Sequence, residues 1–535
     1  MNRRTLPRAA AAPPMSKLAV RVAVTGAAVI GLTLPMAAGG SAAEAGASGG
    51  TRAVASADAE RTAAPPRTIV TTDPELDDLN SMLRMLLYSN ELDIEGLVYS
   101  SSQHHHQGDP ARGIEPHRWP APGDRLHIDQ AVDAYAKAYP NLIRNDPRYP
   151  RPDRLRSLIA RGNVSDVGDM SRDTEGSDLI KRVLLDDRPG QVFLQAWGGP
   201  NTIARALKSI EDEYRGTHRW PAIYKKIVNK AVITSFGQQD TTFEKYIKPH
   251  WPEIQNREVA TSIWGYGARD VARPDDAHYL SAGWTKANVS DVGPMGAAYR
   301  VWGDGKQMAA GFDNEDYFGL TGYTAEELKA MGYMVWTPPQ AKGAFISEGD
   351  SSNFALLLDN GLRSWQDPRW GGWGGRQVAD PDDPHRWSNA GAQDADETGA
   401  KPRDYPAARW FSAIQNDFAA RLRWTTAGPK DTNHPPHVRV RQGLDITRRP
   451  GTSLTLTPRA TDPDRDAITL KWWQYREAGT YPGTVDLTQH KGDAIRLTVP
   501  KDAKPGETIH LILQATDNGT PALTRYQRVV VRVLR

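Results

Sequence analysis

The 535-residue chain contains no cysteine. Disulfide bonds, a thiol nucleophile and a cysteine-based zinc site are therefore excluded, so stability must come from the size of the core or from a bound metal. The chain also lacks an excess of charge: 66 Lys and Arg face 64 Asp and Glu, for a net charge of +2. That balance, without a basic cluster, argues against nucleic acid or a membrane surface as a partner.

Long apolar runs are absent beyond the first fifty residues. Within them, Arg3, Arg4 and Arg8 precede the apolar stretch "VAVTGAAVIGLTLPMAA", which is followed by the small residues "GGSAAEAGASGG". This layout is typical of a secretory signal, and the apolar stretch is shorter than the roughly 20 residues that span a bilayer. We predict a signal peptide over residues 1–43, a secreted, extracellular protein and no membrane span in its mature form.

The length of the chain favours two folded domains, because one core rarely extends over so many residues. Residues 44–66 are rich in Ala, Ser and Thr and predict a flexible linker. Apolar runs alternate with amphipathic helical patterns over residues 67–425. Residues 426–436 predict a second linker, and residues 437–535 contain short β-rich runs separated by turn signals.

The alternation predicts an α/β domain, with a mostly parallel sheet and flanking helices. Examples of the predicted strands are "TIVTT", "DIEGLVY", "GQVFLQA" and "GAFISEG", each followed by a polar segment. Ligands bind outside the carboxyl ends of such strands, so these segments are the first place to look for a site. The C-terminal pattern predicts an all-β sandwich of immunoglobulin-like or cadherin-like type.

The densest polar segment is "DPELDD", directly after the first strand. Helix capping is one explanation, with Asp73 as the N-cap and the other acidic residues facing the positive end of the helix dipole. Each dipole contact contributes only about 0.3–1 kcal/mol, while the like charges repel one another. A bound Ca²⁺ is the other explanation, because calcium binds six to eight oxygen atoms, several of them from carboxylates.

Three stretches resemble one family. "TIVTTDPELDD" is similar to the N-terminal motif of the inosine–uridine nucleoside hydrolases. "EGSDLIKRVLLDDRPGQVFLQAWGGPNTIARALK" and "FISEGDSSNFALLL" resemble later segments of that family, in the same order. The arrangement of the whole chain is closest to secreted bacterial cellulose-binding proteins with a nucleoside-hydrolase-like domain.

The resemblance implies a calcium site and a chemistry. By match, the metal ligands are Asp73, Asp78, Asp350 and the backbone carbonyl of Trp197, and Asp77 holds sugar hydroxyls. Asp73 then takes a proton from water, which attacks the anomeric carbon and breaks an N-glycosyl bond.

The departures from the family concern the leaving-group side. Thr71 and Glu75 replace an Asp and a Gly of the motif, and Asn201 is shifted in register. Gly349 stands where many members carry a His, with Glu348 one position earlier. We keep Asp77, Asn201, His104, His105 and Glu348 as predicted substrate-binding residues. The two histidines come from the polar loop "SSSQHHHQGD", for which a solvated loop is the alternative.

Two aromatic and acidic segments leave alternatives open. "LRSWQDPRWGGWGGR" is Gly-rich and favours a sugar-stacking surface slightly over buried core. "ATDPDRDAITLKWW" resembles acidic turns that bind calcium in cadherin-like domains, although Asp-Pro-Asp is also a common turn and the turn is the preferred interpretation. Trp472 and Trp473 are predicted on opposite faces of a strand, one in the core and the other open to a ligand.

Two functional hypotheses follow. The first is an exported calcium-dependent hydrolase that breaks a glycosidic bond of N-glycosyl type in a small sugar-containing substrate. The alternative is a non-catalytic protein that binds cellulose or another cell-wall polysaccharide and keeps the fold and the metal.

Overall fold

The predicted alternation of strands and helices is present in the computed structural model, which describes residues 64–309 and 313–535. The predicted signal peptide and most of the first predicted linker lie outside these residues. Among the described helices, none combines the length and the apolar character needed to cross a membrane.

The first domain contains one eight-stranded sheet, in the order β3-β2-β1-β4-β5-β6-β8-β7. All neighbouring strands pair in parallel except β7 and β8, which are antiparallel. The strands are β1 Arg67–Thr72, β2 Asp93–Tyr99, β3 Ile159–Arg161, β4 Val192–Ala196, β5 Ala231–Ser235, β6 Gln255–Glu258, β7 Val378–Asp380 and β8 Asp383–Ser388.

Helices cover both faces of this sheet. They are α1 Leu76–Leu87, α2 His127–Asn145, α3 Pro152–Arg156, α4 Glu175–Leu185, α5 Asn201–Tyr214, α6 Trp220–Lys230, α7 Lys248–His250, α8 Ala268–Val271, α9 Ala282–Thr285, α10 Gly293–Ala298, α11 Ala325–Ala330, α12 Ser351–Ala355, α13 Tyr405–Ala408 and α14 Phe411–Trp424. Short 3-10 or π turns occupy Pro110–Arg112, Phe243–Ile247, Pro274–Leu280, Lys286–Ser290 and Arg476–Ala478.

β1 lies in the middle of the sheet, where the strand order reverses between β1 and β4. Every residue of β1 is buried, which explains its continuous apolar and β-branched sequence. α1, α2 and α14 contribute to the apolar core on one face, and α4, α5 and α6 to the core on the other. The strand order therefore places the carboxyl end of β1 at a topological switch point, where α/β sheets bind their ligands.

The C-terminal strands form a sandwich, as predicted. A four-stranded sheet (β10-β17-β16-β13) and a three-stranded sheet (β11-β15-β14) share an apolar core, and β12 pairs with β9. The strands are β9 His437–Val440, β10 Asp445–Arg448, β11 Ser453–Leu456, β12 Pro458–Thr461, β13 Thr469–Gln474, β14 Thr488–Gln489, β15 Ile495–Thr498, β16 Thr508–Thr516 and β17 Thr524–Val533.

Two local predictions about the acidic segments are wrong. α1 begins at Leu76 with Glu75 at its N-cap and without a side-chain capping bond, so Asp73 does not cap the helix. "GAFISEG" is a buried loop and not a strand. Its backbone bonds go to other loops, such as that from the Glu348 amide to the Trp264 carbonyl at 2.8 Å, because no neighbouring strand is available there.

The Trp-rich segment does not form an exposed surface. Trp373 is buried, and Trp370 lies between Arg363 and Arg528, whose guanidinium carbons are 4.9 and 5.7 Å from its ring centroid. Trp473 packs against Trp410, with ring centroids 5.8 Å apart. These aromatic residues therefore join the first domain to the sandwich.

Trp472 and Trp473 do lie on opposite faces of β13, as predicted. Trp472 packs against the core of the sandwich, and Trp473 packs against the core of the first domain. The proposed exposed face for a ligand is wrong, because the first domain covers it.

A buried ionic network crosses the boundary between the first domain and the sandwich. Arg421 of α14 donates to Asp417 (Nε to Oδ1, 2.8 Å) and also pairs with Glu91. Arg525 of β17 donates to the second oxygen of Asp417 at 2.6 Å. Burial raises the pKa of Asp417, but the guanidinium groups of Arg525 and Arg421 outweigh burial and lower it to about 2.

This network makes stability depend on pH. Because the folded-state pKa of Asp417 is below its unfolded value, its contribution is present above about pH 4 and is lost as pH falls towards about 2. We expect the difference in unfolding free energy between wild type and Asp417→Asn to narrow by about 2 kcal/mol from pH 6 to pH 2. Urea unfolding at a series of pH values measures it, and parallel pH profiles would contradict this role of Asp417.

Candidate functional site

The candidate site lies at the carboxyl ends of β1, β2, β4 and β5. β1 is followed by the acidic segment 73–78, and β2 by the polar loop 100–106. β4 leads into Trp197, Gly198 and Gly199, and β5 leads into residues 236–240. Parallel strands bring these four segments to one edge of the sheet, as the sequence predicts.

Asp73 is fully buried and its two carboxylate oxygens differ. Oδ2 accepts hydrogen bonds from Ser102 Oγ at 2.6 Å and is 3.0 Å from His105 Nδ1. Oδ1 has no hydrogen-bond partner. Gly198 lies against Oδ1, and a Cβ there would overlap it. The glycine of "WGG" therefore lets an unpaired carboxylate oxygen approach the carboxyl end of β4.

Asp77 and Asp78 are on the first turn of α1, on its buried side. Asp78 Oδ1 accepts a hydrogen bond from Thr72 Oγ1, which is also 2.9 Å from His127 Nε2. Asp77 Oδ2 accepts from Ser347 Oγ at 3.1 Å. Each of the two aspartates is thus positioned by one hydroxyl donor and retains further oxygen lone pairs.

Asp350 and Glu75 complete the acidic cluster. Asp350 precedes α12, is buried, and its Oδ1 has no hydrogen-bond partner. Glu75 has a side chain that is 20% exposed. Its carboxylate oxygen lies within 4.8 Å of ligand oxygens of both Asp77 and Asp78. Glu75, which departs from the family motif and was not predicted as a ligand, thus lies beside the predicted metal ligands Asp73 and Asp78.

The cluster carries uncompensated negative charge. In the described part of the chain, no Lys or Arg forms an ion pair with Asp73, Asp77, Asp78 or Asp350, the four predicted acidic residues. Burial raises the pKa of Asp78 and of Asp350 well above the ordinary range, and the neighbouring carboxylates raise both further. Burial likewise raises the pKa of Asp77 to about 6.

These residues fit a hard divalent cation. Buried like charges destabilise a protein unless they are paired or coordinate a metal. The donors are carboxylate oxygens, two of them without any hydrogen bond, and calcium prefers such oxygens. The acidic cluster is therefore a candidate metal site.

Trp197 and Asn201 differ in how they relate to the acidic cluster. The Trp197 carbonyl accepts a hydrogen bond from Gln239 Nε2 at 2.6 Å and keeps a second lone pair, so its predicted role as a metal ligand stays a prediction. Asn201 Nδ2 donates to Ser101 Oγ and to the carbonyls of Asn163 and Asp169. Asn201 thus joins loops beside the site, and its Oδ1 has no partner.

The structure separates the two predicted histidines. His105 is buried against Asp73, and burial lowers its pKa, which favours the neutral imidazole. His104 is half-buried and lines a cavity with Gln103. His105 therefore positions the Asp73 carboxylate, while His104 faces the space that a ligand would occupy.

Glu348 points away from the acidic cluster into a buried ionic contact. Arg84 Nη2 donates to Glu348 Oε1 at 2.9 Å, and Tyr299 Oη donates to the same oxygen. Ser351 Oγ donates to Oε2 at 3.2 Å. With these partners, Glu348 holds the loop before Asp350 in place, and the structure does not bring its side chain to the ligand cavity.

A cavity of about 260 Å³ opens beside the acidic cluster. It is lined by polar side chains around two aromatic rings: Glu75, Asp77, Gln103, His104, Phe236, Gln238, Gln239, Tyr266 and Asp350. The two glutamines at 238 and 239 lie in the polar segment "SFGQQD" after β5, and the sequence did not single them out. Tyr266 carried no signal in the sequence, because it lies in a long loop outside the predicted strands.

Gly349 determines the shape of this cavity. A Cβ there would lie 2.7 Å from Asp77 Oδ2 and 3.0 Å from Phe236 Cζ, so a side chain would displace the carboxylate. We expect Gly349→Ala to weaken binding of a ligand in this cavity about tenfold, with little change in thermal stability. Gly265→Ala is the matched control, since its Cβ would be 3.7 Å from the same Phe236 atom. Calorimetry with the sugar that the wild type binds best measures the effect, and equal Kd values for the two variants would contradict it.

The fold and the acidic site define a class: a nucleoside-hydrolase-like α/β domain with an appended β-sandwich. Residues 67–377 match the family described as "Cellulose-binding Sde182, nucleoside hydrolase-like domain", and residues 453–533 match "Cellulose-binding protein Sde0182, C-terminal domain". The chain belongs to this family of cellulose-binding proteins. A search of curated proteins found no match.

One solved structure shares the fold, and a second is similar to a lesser extent. A nucleoside hydrolase-related hypothetical protein from Saccharophagus degradans, described as associated with carbohydrate metabolism, is 24% identical. The match covers 88% of this chain and 100% of that chain, with a TM-score of 0.64. A plant nucleoside hydrolase, PpNRh1, is 13% identical over 68% of this chain and 100% of its own, with a TM-score of 0.29.

Proposed function

We propose that this protein is an exported, calcium-dependent hydrolase that breaks a glycosidic bond of N-glycosyl type in a small sugar-containing substrate. The observation that carries the proposal is the acidic cluster, in which buried carboxylates converge without a basic partner in the described chain and keep two oxygens unpaired. The nucleoside-hydrolase-like domain of residues 67–377 supports the same class of chemistry.

Asp73, Asp78 and Asp350 would hold the calcium ion, with the Trp197 carbonyl as a fourth ligand. Bound calcium supplies an acidified water and a binding point for sugar hydroxyls. Glu75 lies close enough to Asp77 and Asp78 to add a further oxygen. The remaining chemistry belongs to residues of the chain.

Asp73 is the proposed general base. Its Oδ2 is fixed by Ser102 and His105, so Oδ1, which has no hydrogen-bond partner, would use one lone pair for the ion and another to accept a proton from the attacking water. Asp77 is the proposed partner of the sugar hydroxyls, since it lines the cavity. Attack at the anomeric carbon then proceeds through an oxocarbenium-like transition state, and the leaving group takes the bonding electrons.

The cavity supports a small substrate. At about 260 Å³ it is below the roughly 300–1,000 Å³ of typical ligand sites. It has room for one sugar ring, and any further part of a substrate would lie outside it. Gly349 places no proton donor on the leaving-group side, which favours a leaving group that departs without protonation from that position.

The second candidate is a non-catalytic protein that binds cellulose or a similar cell-wall polysaccharide. The family description favours it, as does Gly349 in place of a histidine. The convergence of Asp73, Asp77, Asp78 and Asp350 favours hydrolysis, because binding a neutral polysaccharide does not need the full set of acidic residues. We therefore place hydrolysis first. Export rests on the proposed N-terminal signal peptide.

Release of reducing sugar tests the proposal. The purified chain is incubated with a panel of nucleosides and small glycosides, with added calcium or with a chelator. We expect turnover of at least one compound that stops on chelation and returns with calcium. Chelator-sensitive binding of cellulose without turnover of any compound would replace the first candidate with the second.

A further inference from the structure

Three segments of the chain meet at the end of the sandwich nearest the second linker. Asn433 lies in that linker, Asp462 in the turn between β12 and β13, and Asp517 in the turn between β16 and β17. Asn433 Nδ2 donates to Asp517 Oδ1 at 3.1 Å. The Ala467 amide donates to Asn518 Oδ1 at 2.8 Å, which joins the two turns to each other.

Each of the two aspartates has one carboxylate oxygen that accepts hydrogen bonds and one that does not, and the single side-chain oxygen of Asn433 accepts none. Asp517 Oδ1 accepts from the amides of Gly519 and Leu523, at 3.0 and 2.9 Å. Asp462 Oδ1 accepts from two amides of its own turn, at 2.8 and 3.0 Å. Asp462 Oδ2, Asp517 Oδ2 and Asn433 Oδ1 are buried without a hydrogen-bond partner.

Burying these oxygens without a hydrogen-bond partner lowers the free energy of unfolding. Asn433 and Asp517 are only 8% and 4% exposed, and an unpaired buried polar group costs about 1–3 kcal/mol, more if charged. Among the described residues, no Lys or Arg forms an ion pair with Asp462 or Asp517. Burial raises the pKa of Asp517, and the charge of Asp462 raises it slightly further, so like charges face each other.

Gly519 confines the Asn433 amide. A Cβ at this position would overlap Asn433 Nδ2, Cγ and Oδ1. Both amide hydrogens are used, because Nδ2 donates to Asp517 Oδ1 at 3.1 Å and to the Pro521 carbonyl at 2.8 Å. These two bonds fix the orientation of the amide, and Oδ1 is buried without a hydrogen-bond partner.

We propose that Asn433 Oδ1, Asp462 Oδ2 and Asp517 Oδ2 bind a divalent cation of the calcium class. The donors are all oxygens, two of them from carboxylates, and this set suits Ca²⁺ and not the nitrogen- and sulfur-preferring metals. Water molecules complete the coordination shell. This site is separate from the acidic cluster at the carboxyl end of β1.

A cation there would tie the linker to the sandwich. The Asn433 carbonyl accepts a hydrogen bond from Trp424 Nε1 at 2.9 Å, at the end of α14. The next residue, His434, donates its amide to Asp464 Oδ2 at 2.6 Å and stacks on Trp424. The cation would therefore fix the linker at the place where it joins both domains.

Calcium binding to isosteric variants tests the proposal. Asp462→Asn and Asp517→Asn keep the Oδ1 acceptor and hence the turn, but remove the charge at the unpaired oxygen. The measurements use the full chain with Asp78→Asn as background, which removes a ligand of the other proposed site. In isothermal titration calorimetry, we expect the background chain to bind one Ca²⁺, and either added variant to weaken that binding more than about tenfold.

Asp464→Asn is the matched control, because Asp464 lies in the same turn but its Oδ2 is bonded to His434. We expect it to change calcium affinity less than about threefold. Equal loss in Asp464→Asn and Asp517→Asn, or no loss in Asp517→Asn, would overturn the proposal. If instead the Asp78→Asn background binds as many ions as the wild type, the first metal site fails and the second is unaffected.

Thermal unfolding gives an independent readout that does not depend on activity. Calcium is expected to raise the Tm of the background chain by a few degrees and to leave that of the Asp517→Asn chain unchanged. In chelator, the Asp517→Asn chain is expected to have the higher Tm of the two, because the substitution removes an unpaired buried charge. A lower Tm for the variant in chelator as well would show that the aspartate stabilises the turn without a metal, and would overturn the proposal.

Discussion

Asp73→Asn is expected to lower kcat on the best substrate about 10³-fold, because a general base contributes roughly 10²–10⁴-fold to such reactions. The asparagine still accepts the hydrogen bond of Ser102 Oγ, which is 2.6 Å away in the wild type. It cannot accept the proton of water through a carboxylate, so the loss falls on the chemical step. The initial rate at saturating substrate and calcium measures it.

Asp146→Asn is the control for this experiment. Asp146 is also a largely buried carboxylate, but it is bonded to Asn90 and Arg148 at the end of α2 and does not belong to the acidic cluster. Its kcat is expected to stay within about twofold of wild type. An Asp73→Asn enzyme with more than about a tenth of the wild-type kcat would exclude Asp73 as the base.

Arg421→Met is expected to lower the free energy of unfolding by about 3–5 kcal/mol, the typical effect of removing one partner from a buried ion pair. Arg421 is buried and pairs with Asp417 and Glu91. It also donates to the Leu87 carbonyl at 2.8 Å and to Asn90 Oδ1 at 2.9 Å. Methionine fills part of the volume but removes these hydrogen bonds and the positive charge between Glu91 and Asp417.

Urea unfolding of wild type and variant measures the difference. Arg125→Met is the control, since Arg125 is exposed and pairs with Asp129 and Asp133 on the surface. Surface ion pairs contribute only about 0–1 kcal/mol. Similar losses of unfolding free energy in the two variants would contradict the central role of the Arg421 network. A steeper dependence of the unfolding free energy on urea concentration in Arg421→Met would indicate a change in the unfolded or native state.

The α/β fold and the location of the site were predictable because they depend on strong local patterns. β1, β2, β4 and β5 are rich in apolar and β-branched residues, and each leads into a polar segment. Because the carboxyl ends of parallel strands lie at one edge of a sheet, these segments were expected to meet there. The three carboxylates Asp73, Asp77 and Asp78 could be placed there before any coordinates.

Side-chain direction was not predictable to the same degree. Glu348 and Asp350 are two residues apart, yet one pairs with Arg84 and the other faces the acidic cluster. Arg84 lies on α1, 264 residues away, and a contact over that separation leaves no local pattern. Glu75 was interpreted as a departure from the family motif or as a partner of the helix dipole, and not as a metal ligand, because its position beside Asp77 follows from the bend before α1.

The tryptophans are a second case in which the sequence did not predict the surroundings of a side chain. A Gly-rich sequence around Trp370 and Trp373 suggested exposure, but the glycines allow close packing. Gly371 has a left-handed backbone and lies against the hydroxyl of Tyr475 in the sandwich. Gly372 lies against the side chain of Ser364. Composition alone does not distinguish a glycine that frees a surface from one that admits a neighbouring domain.

The central claim is that the acidic cluster holds a calcium ion beside a sugar-binding cavity. A crystal structure of the full chain grown with calcium and the best-bound sugar tests it most directly. We predict one calcium ion, visible as a strong anomalous peak and coordinated by Asp73 Oδ1, Asp78 and Asp350 Oδ1. The sugar hydroxyls are expected between this ion and Asp77. Sugar bound in the cavity at saturating calcium, with no peak among these carboxylates, would contradict the account.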